Sequence, residues 1–289
     1  MKTEFTKMHL LGNDFVVIDA LQQNFKPSGK LIRLWANRHR GIGFDQLLLI
    51  EKPRSKPTHF YYRIFNADGN EVAQCGNGAL CVAKFLLDKK LSKENPIHLM
   101  TLNNTLELNS EKNGKVTANL GLPIFDAEKI QFINMSRSPP PIYPIETPFG
   151  RFDCCVLSLG NPHCVIQVNC LEKAPLEDLG TYFNRHPYPY FPQGCNVEFM
   201  KIRDPKQIDL RIYERGVGET QACGSGACAA VIAGHLLNRL AKKVNVNLRG
   251  GLLSVRWEGE NSPVFLRGTP ITVFQGAIEN TLLSVQKRK

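Results

Sequence analysis

RIYERGVGETQACGSGA, residues 211–227, falls on RIFNADGNEVAQCGNGA, residues 63–79, when the chain is slid by 148 positions. Arg, Ile, Glu, Cys, both glycines and the final Ala match, and Tyr213 meets Phe65. The same offset lays GNPHCVIQ (160–167) on GNDFVVID (12–19), and an offset of 147 lays LRGTP (266–270) on NLGLP (119–123). Three segments in one register indicate a duplication. The reading is of two similar domains related by a pseudo-twofold axis.

The repeat sets the expected architecture. FVVIDA (15–20) and DQLLLIE (45–51) read as strands, HFYYRIFN (59–66) alternates less cleanly, and KLIRLWANR (30–38) has helical spacing. Asn113-Gly114 marks a hairpin, with NLRGGLLSVRWEGENSPVFL (247–266) as its counterpart in the second half. SRSPPPIYPIETP (136–148) is proline-rich and reads as an extended connector. NGALCVAKFLLDKK (77–90) and SGACAAVIAGHLLNRL (225–240) are apolar nearly all round, as helices buried in the middle of a domain are. We therefore expect an α+β fold of two pseudo-symmetric domains, each a mixed or antiparallel sheet wrapped around a central helix. The expected domains are 1–121 and 122–268, with 269–289 packing on the first.

Composition narrows the class. A chain of 289 residues with 43% hydrophobic and 21% charged residues has the make-up of a globular protein. Its longest apolar run, ACAAVIAG (227–234), is too short to span a bilayer, and MKTEFTKMHLLGNDF has no signal-peptide core. A cytoplasmic location without membrane contact is expected. Nine cysteines, an odd number without any C-x-x-C pair, argue against disulfide and structural-zinc frameworks, so no metal is expected. The surplus of 36 Lys and Arg over 26 Asp and Glu is scattered except for KRK (287–289), a solvated tail. That scatter suits attraction of a small anionic substrate better than nucleic acid binding.

Cys75 and Cys223 each stand where a helix should begin. Unpaired backbone N–H groups and the positive end of the helix dipole favour thiolate there and lower the expected pKa. Glycines at 76, 78, 224 and 226 let backbone N–H groups approach an anion such as a carboxylate. One such thiol suggests a nucleophile. Two, placed by pseudosymmetry on opposite sides of one cleft, suggest an acid and a base that invert an acidic C–H centre. Cys81 and Cys228 do not align with each other and read as core.

MHLLGNDFVVID, RGIGFDQLLLIE, FNADGNEVAQCGNGALC, GNPHCVI, NVEF and ERGVGETQACGSGA, in this order, resemble the successive signatures of the diaminopimelate epimerase family. The resemblance runs from residue 8 to beyond 227. It implies a cofactor-independent isomerase, acting without pyridoxal phosphate on LL- and meso-2,6-diaminopimelate on the route to lysine and peptidoglycan. It makes Cys75 and Cys223 the acid–base pair and gives the reacting carboxylate to the N–H groups of Gly76, Asn77, Gly224 and Ser225. It assigns Asn13, Gln46, Asn66, Asn161 and Asn196 to the substrate pocket, Arg215 to the distal carboxylate and Glu214 to the distal ammonium. His163 and Glu214 fall where the family adjusts thiol protonation. A homodimer is implied, less securely because Phe274 stands where a tyrosine associated with dimer formation is common. Leu10 and Leu80 also depart from the family's usual Gly and Arg.

Taken without the resemblance, these residues have plainer readings. Asn13 and Asn161 pass as turn residues, Asn66 as a strand end, Glu214 and Arg215 as a solvated pair, and His163 as a satisfied half-buried histidine. Asn196 and Gln46 carry almost no signal by themselves. Two rival functions remain open: a proline or hydroxyproline-type racemase of the same fold, and a thiol redox protein. The first would favour Asp-Arg-Ser-Pro before its second cysteine, where this chain has ETQA; the second would more typically carry C-x-x-C.

Overall fold

A computed structural model of the chain describes residues 2–133, 135, 141–185 and 190–279. These fall into two compact units, 2–118 with 269–279, and the described residues of 119–268. In chain order the elements begin with β1 (Lys2–Leu10), β2 (Asn13–Asp19), α1 (Gly29–Ala36), β3 (Gln46–Glu51), β4 (Phe60–Asn66) and β5 (Glu71–Val72). Next come α2 (Gly76–Asp88), β6 (Ile97–Met100), β7 (Thr105–Ser110) and β8 (Val116–Asn119). The second unit holds α3 (Ala127–Ile130), β9 (Ile142–Thr147), β10 (Gly150–Ser158), β11 (Pro162–Gln167) and α4 (Leu176–Asn184). It continues with β12 (Asn196–Asp204), β13 (Gln207–Glu214), β14 (Gly218–Glu219), α5 (Gly224–Leu236), β15 (Lys243–Leu248), β16 (Gly251–Trp257) and β17 (Val264–Gly268). The last strand, β18 (Ile271–Glu279), pairs antiparallel with β1 of the first unit.

The first unit is a mixed sheet. β1 and β2 are antiparallel, β2 and β3 parallel with Phe15 opposite Gln46, and β3 and β4 antiparallel with Gln46 opposite Asn66. α2 packs on β1, β2 and β7 and buries ten residues from Gly76 to Leu86, so the sheet wraps it. α1 begins at Ser28, whose hydroxyl accepts the Leu31 N–H, and its Trp35 stacks on Phe25 in a separate apolar cluster. Between β7 and β8 the Asn113-Gly114 turn is closed by the Glu111 N–H donating to the Lys115 carbonyl and the Gly114 N–H to the Glu111 carbonyl, with Gly114 at φ 80. A positive φ of this kind is where glycine is at no steric disadvantage.

The second unit repeats the plan. β11 and β12 are parallel with His163 opposite Asn196, β12 and β13 antiparallel, and β15 to β17 form consecutive antiparallel pairs. α5 packs on β10, β11, β12, β13, β16 and β17 and is buried almost all round. Its Ala and Gly residues give it a thin cylinder that strands can surround closely. This is the α+β arrangement of a mixed sheet around one central helix, in both copies.

The proline-rich stretch departs from expectation. Of the connector read at 136–148, residues 136–140 lie outside the described residues, as does the basic tail at 287–289. Ile142–Thr147 forms β9, antiparallel to β10 from Ile142 opposite Cys155 to Thr147 opposite Gly150. Tyr143 and Ile145 alternate into the core, and their burial outweighs the cost of Pro144 in a strand that among the described residues pairs with β10 alone. Helix α4 was not foreseen either. Its Leu176, Leu179 and Phe183 sink into the core that holds Phe191 and Phe199. Among the described residues no helix is long and apolar enough to cross a membrane.

Candidate active site

Each central helix starts at a cysteine. Cys75 is the N-cap of α2 with extended backbone (φ -149, ψ 106), and its sulfur accepts the Gly78 N–H at 3.2 Å. The small residues after it allow this. A Cβ on Gly78 would collide with the Tyr62 hydroxyl and stand 3.2 Å from the Cys75 sulfur. Tyr62 is fully buried, and its hydroxyl reaches the Cys75 carbonyl at 3.5 Å. Burial, then the neighbouring Cys75, pushes the phenol well above its ordinary pKa, so Tyr62 stays a donor.

The other first-unit residues gather at the ends of β2, β3 and β4. Asn77 donates through Nδ2 to the Asn13 amide oxygen at 3.2 Å, and Asn13 donates to Asp45 at 2.9 Å. Gln46 donates to the Asn66 amide oxygen at 2.8 Å. Behind Asn13, Arg38 bridges Asp14 and Asp45 at 2.8 Å and 2.7 Å, while Lys7 reaches Asp14 at 2.6 Å. Asp45 and Arg38 were missed from sequence because an acid and a base in a loop look like any solvated pair.

Cys223 is the N-cap of α5 with matching backbone (φ -127, ψ 118), but its side chain makes no cap bond to the helix. Its sulfur lies 3.5 Å from the Ser225 hydroxyl and 3.9 Å from Nδ2 of Asn196. Asn196 also accepts the Arg215 main-chain N–H at 3.0 Å, and Arg215 itself is exposed, holding the Gln193 carbonyl. Glu214 accepts from Thr220 at 2.6 Å. His163, wholly buried, contacts Glu198 through Nδ1 at 2.7 Å and Asn161 through Nε2 at 3.1 Å. Asn196, Cys223 and Ser225 are thus in contact, with Arg215 joining through its backbone, while His163 links Asn161 to Glu198 and Glu214 is held by Thr220, all within one unit.

The electrostatics correct one expectation. A lowered thiol pKa was anticipated from the helix N-terminus, yet Cys223 is pushed well above its ordinary value. Burial is the largest cause and the Glu214 carboxylate adds to it; the Ser225 hydroxyl and the nearby Gly226 N–H, which falls short of a cap bond, oppose them without prevailing. At 6% exposure the thiolate loses more hydration than the helix end restores. Cys223 therefore rests as a thiol. Burial raises Glu214 as well, against hydrogen bonds from Thr220 and Cys223. Cys81 and Cys228 lie fully buried inside their helices, and the described residues include no three His, Cys, Asp or Glu side chains that converge as a metal site requires.

This fold is shared with solved structures at low identity. A probable proline racemase of Agrobacterium radiobacter K84, crystallised with bound carbonate, matches 96% of this chain and 93% of its own with a TM-score of 0.72 at 15% identity. A hydroxyproline epimerase of Agrobacterium vitis, with bound trans-4-OH-L-proline, matches 96% and 92% at a TM-score of 0.71 and 15% identity. The chain thus shares the fold of these racemase and epimerase structures. The sequence profile of diaminopimelate epimerase matches residues 5–125 and 155–273. A protein of Nitrosomonas europaea named diaminopimelate epimerase is 46% identical over 279 residues, covering 96% of this chain and all of that one. The chain belongs to the diaminopimelate epimerase family.

Proposed function

We propose that this chain interconverts LL- and meso-diaminopimelate by proton transfer at Cα, for lysine and peptidoglycan precursor synthesis, with Cys75 and Cys223 as the acid–base pair. The observation that carries the reading is the pairing of thiols. Each unit places one cysteine as the N-cap of its buried central helix, in a chain 46% identical to a diaminopimelate epimerase. One thiolate takes the Cα proton and the other thiol supplies a new one, so the centre inverts.

Removing that proton loads negative charge onto the substrate carboxylate. First-turn N–H groups of a helix lack intrahelical acceptors and are fixed before the reaction, so they stabilise that charge most where it is greatest. Gly76 and Asn77 in one unit, Gly224 and Ser225 in the other, supply them. Asn13, Gln46, Asn66, Asn161 and Asn196 hold the substrate's polar groups. Arg215 binds the distal carboxylate, for which a planar guanidinium is suited, and Glu214 the distal ammonium. Glu214 and His163 also set the thiols' protonation. The two units act as the two catalytic domains, each bringing one thiol. We place the protein in the cytoplasm as a homodimer, with β18 contributing its exposed Ile271, Val273 and Phe274.

Cys75→Ala and Cys223→Ala test the assignment directly. Each should lower epimerisation at least about 10²-fold, as loss of a positioned acid or base does. Turnover near wild type in either variant would refute the two-thiol mechanism.

A further inference from the structure

β12 carries a carboxylate where a core strand normally has an apolar slot. Residues 196–200 (NVEFM) are all buried, and Glu198 is completely enclosed. Its Oε1 lies 2.7 Å from His163 Nδ1, while Oε2 is buried without a hydrogen-bond partner. The other ring nitrogen, Nε2, lies 3.1 Å from the side-chain amide oxygen of Asn161. That oxygen has no proton to give, so Nε2 carries one. The line between Nδ1 and Oε1 then holds one further proton, as imidazolium with carboxylate or as imidazole with carboxylic acid. Either way the pair is neutral overall.

The internal repeat shows what the fold itself requires at these positions. His163 faces Asn196 in the parallel β11–β12 ladder, and Phe15 faces Gln46 in the parallel β2–β3 ladder. Two residues farther along β12 and β3 stand Glu198 and Leu48. Both lie under the first turn of a central helix: a Cβ on Gly226 would meet Glu198 Oε1 at 2.9 Å, and one on Gly78 would meet Leu48 at 3.3 Å. Phe and Leu therefore fill in unit one the places that His and Glu fill in unit two, under the same helix and sheet. A buried ion pair is generally no more stabilising than apolar groups of its size, and an enclosed, unpaired oxygen is costly. Packing does not account for Glu198. Its chemical neighbours do.

We propose that Glu198 is a positioning residue for the isomerase: by sharing a proton with His163 Nδ1 it keeps Nε2–H donated to Asn161, fixing that amide with its Nδ2 hydrogens left for a ligand. This rests on the functional reading above. Burial, the leading cause, raises the Glu198 carboxyl, which is consistent with a shared proton. The titratable groups that face the pair are Cys155 on β10, Cys164 on β11, Cys195 before β12, Glu214 on β13 and Cys223 at α5. Burial is the largest cause for all five and pushes each toward its protonated form. Among the described residues no cation other than the His163 ring itself acts on Glu198.

The test uses the full, reduced, 15N-labelled chain without substrate, the His163 ring being assigned by its loss in His163→Gln. Two-bond 1H–15N spectra at about pH 7.5 should show the His163 ring protonated at Nε2, as its contact with the Asn161 amide oxygen requires. Glu198→Gln should lower kcat for LL-diaminopimelate roughly tenfold or more, shift the pH profile of kcat, and leave KM within about threefold. A wild-type Nε2 without a proton at that pH would overturn the proposal, and so would a Glu198→Gln enzyme with unchanged kcat and pH profile. If that variant does not fold, the wild-type spectrum decides. The spectrum needs no substrate, so a wrong substrate would show separately, as absence of turnover by the wild type.

Discussion

The Gly78 N–H lies 3.2 Å from the Cys75 sulfur, and a methyl group on Gly78 would have to displace the Tyr62 hydroxyl. Sulfur, glycine and phenol are thus packed as one piece at the start of α2. Gly78→Ala should cost about 1–3 kcal/mol by overpacking and reduce turnover, because the sulfur must move with the helix end. Tyr62→Phe in the same chain removes the colliding oxygen and should recover part of the melting temperature. Thermal melts of the single and double variants check this; equal stability of wild type and Gly78→Ala would contradict it.

Cys223 should be slow to ionise in the absence of substrate. Its folded-state pKa is raised by burial and by Glu214, so the thiolate fraction at pH 7.5 is below that of an exposed cysteine. Iodoacetamide labelling of Cys223, followed by peptide mapping, should keep accelerating as pH rises past 9 without levelling off below it. A plateau near pH 7 would show a stabilised thiolate instead.

Asp14 ties acid stability to the network behind Asn13. Burial works against its charge, but hydrogen bonds and attraction from Arg38 and Lys7 outweigh that and bring its pKa from 3.8 to about 2. A carboxylate depressed in the folded state stabilises above its unfolded pKa, and the contribution fades as pH falls from 3.8 toward 2. Linkage puts it at up to about 2 kcal/mol, less what solvent screening of the half-exposed Arg38 removes. Asp14→Asn should therefore be less stable than wild type at pH 7, with the gap narrowing below pH 4. Urea unfolding at pH 7, 4 and 3 measures it; a gap that stays constant with pH would contradict the assignment.

Much of the site could be read in the sequence because the repeat marks it twice. Cys75 and Cys223, the glycines after them and the apolar helices they begin recur in one register, and small residues at a helix start carry a physical meaning. The partners that tune the site did not show. Glu198 sits in NVEFM like any charge in a strand, and only the parallel ladder reveals that it lies beneath a helix end, opposite the position of Leu48 in the other copy. The signal available was a lone acid in an inward slot of an otherwise apolar run. The direction of the Cys223 shift was hidden for a related reason: helix polarity is local and legible, whereas burial is set by the strands and loops that close over the thiol. β9 was obscured by Pro144 and the prolines that precede it, although Tyr143 and Ile145 already alternated.

The central claim is proton transfer at Cα of diaminopimelate without a cofactor, and isotope exchange tests it most directly. Reduced protein would be incubated with LL-diaminopimelate in D2O, without pyridoxal phosphate, while NMR follows Cα–H and the meso isomer. Deuterium entering Cα together with meso product is the predicted result. A folded, fully reduced sample that neither exchanges Cα–H nor forms the meso isomer would contradict it.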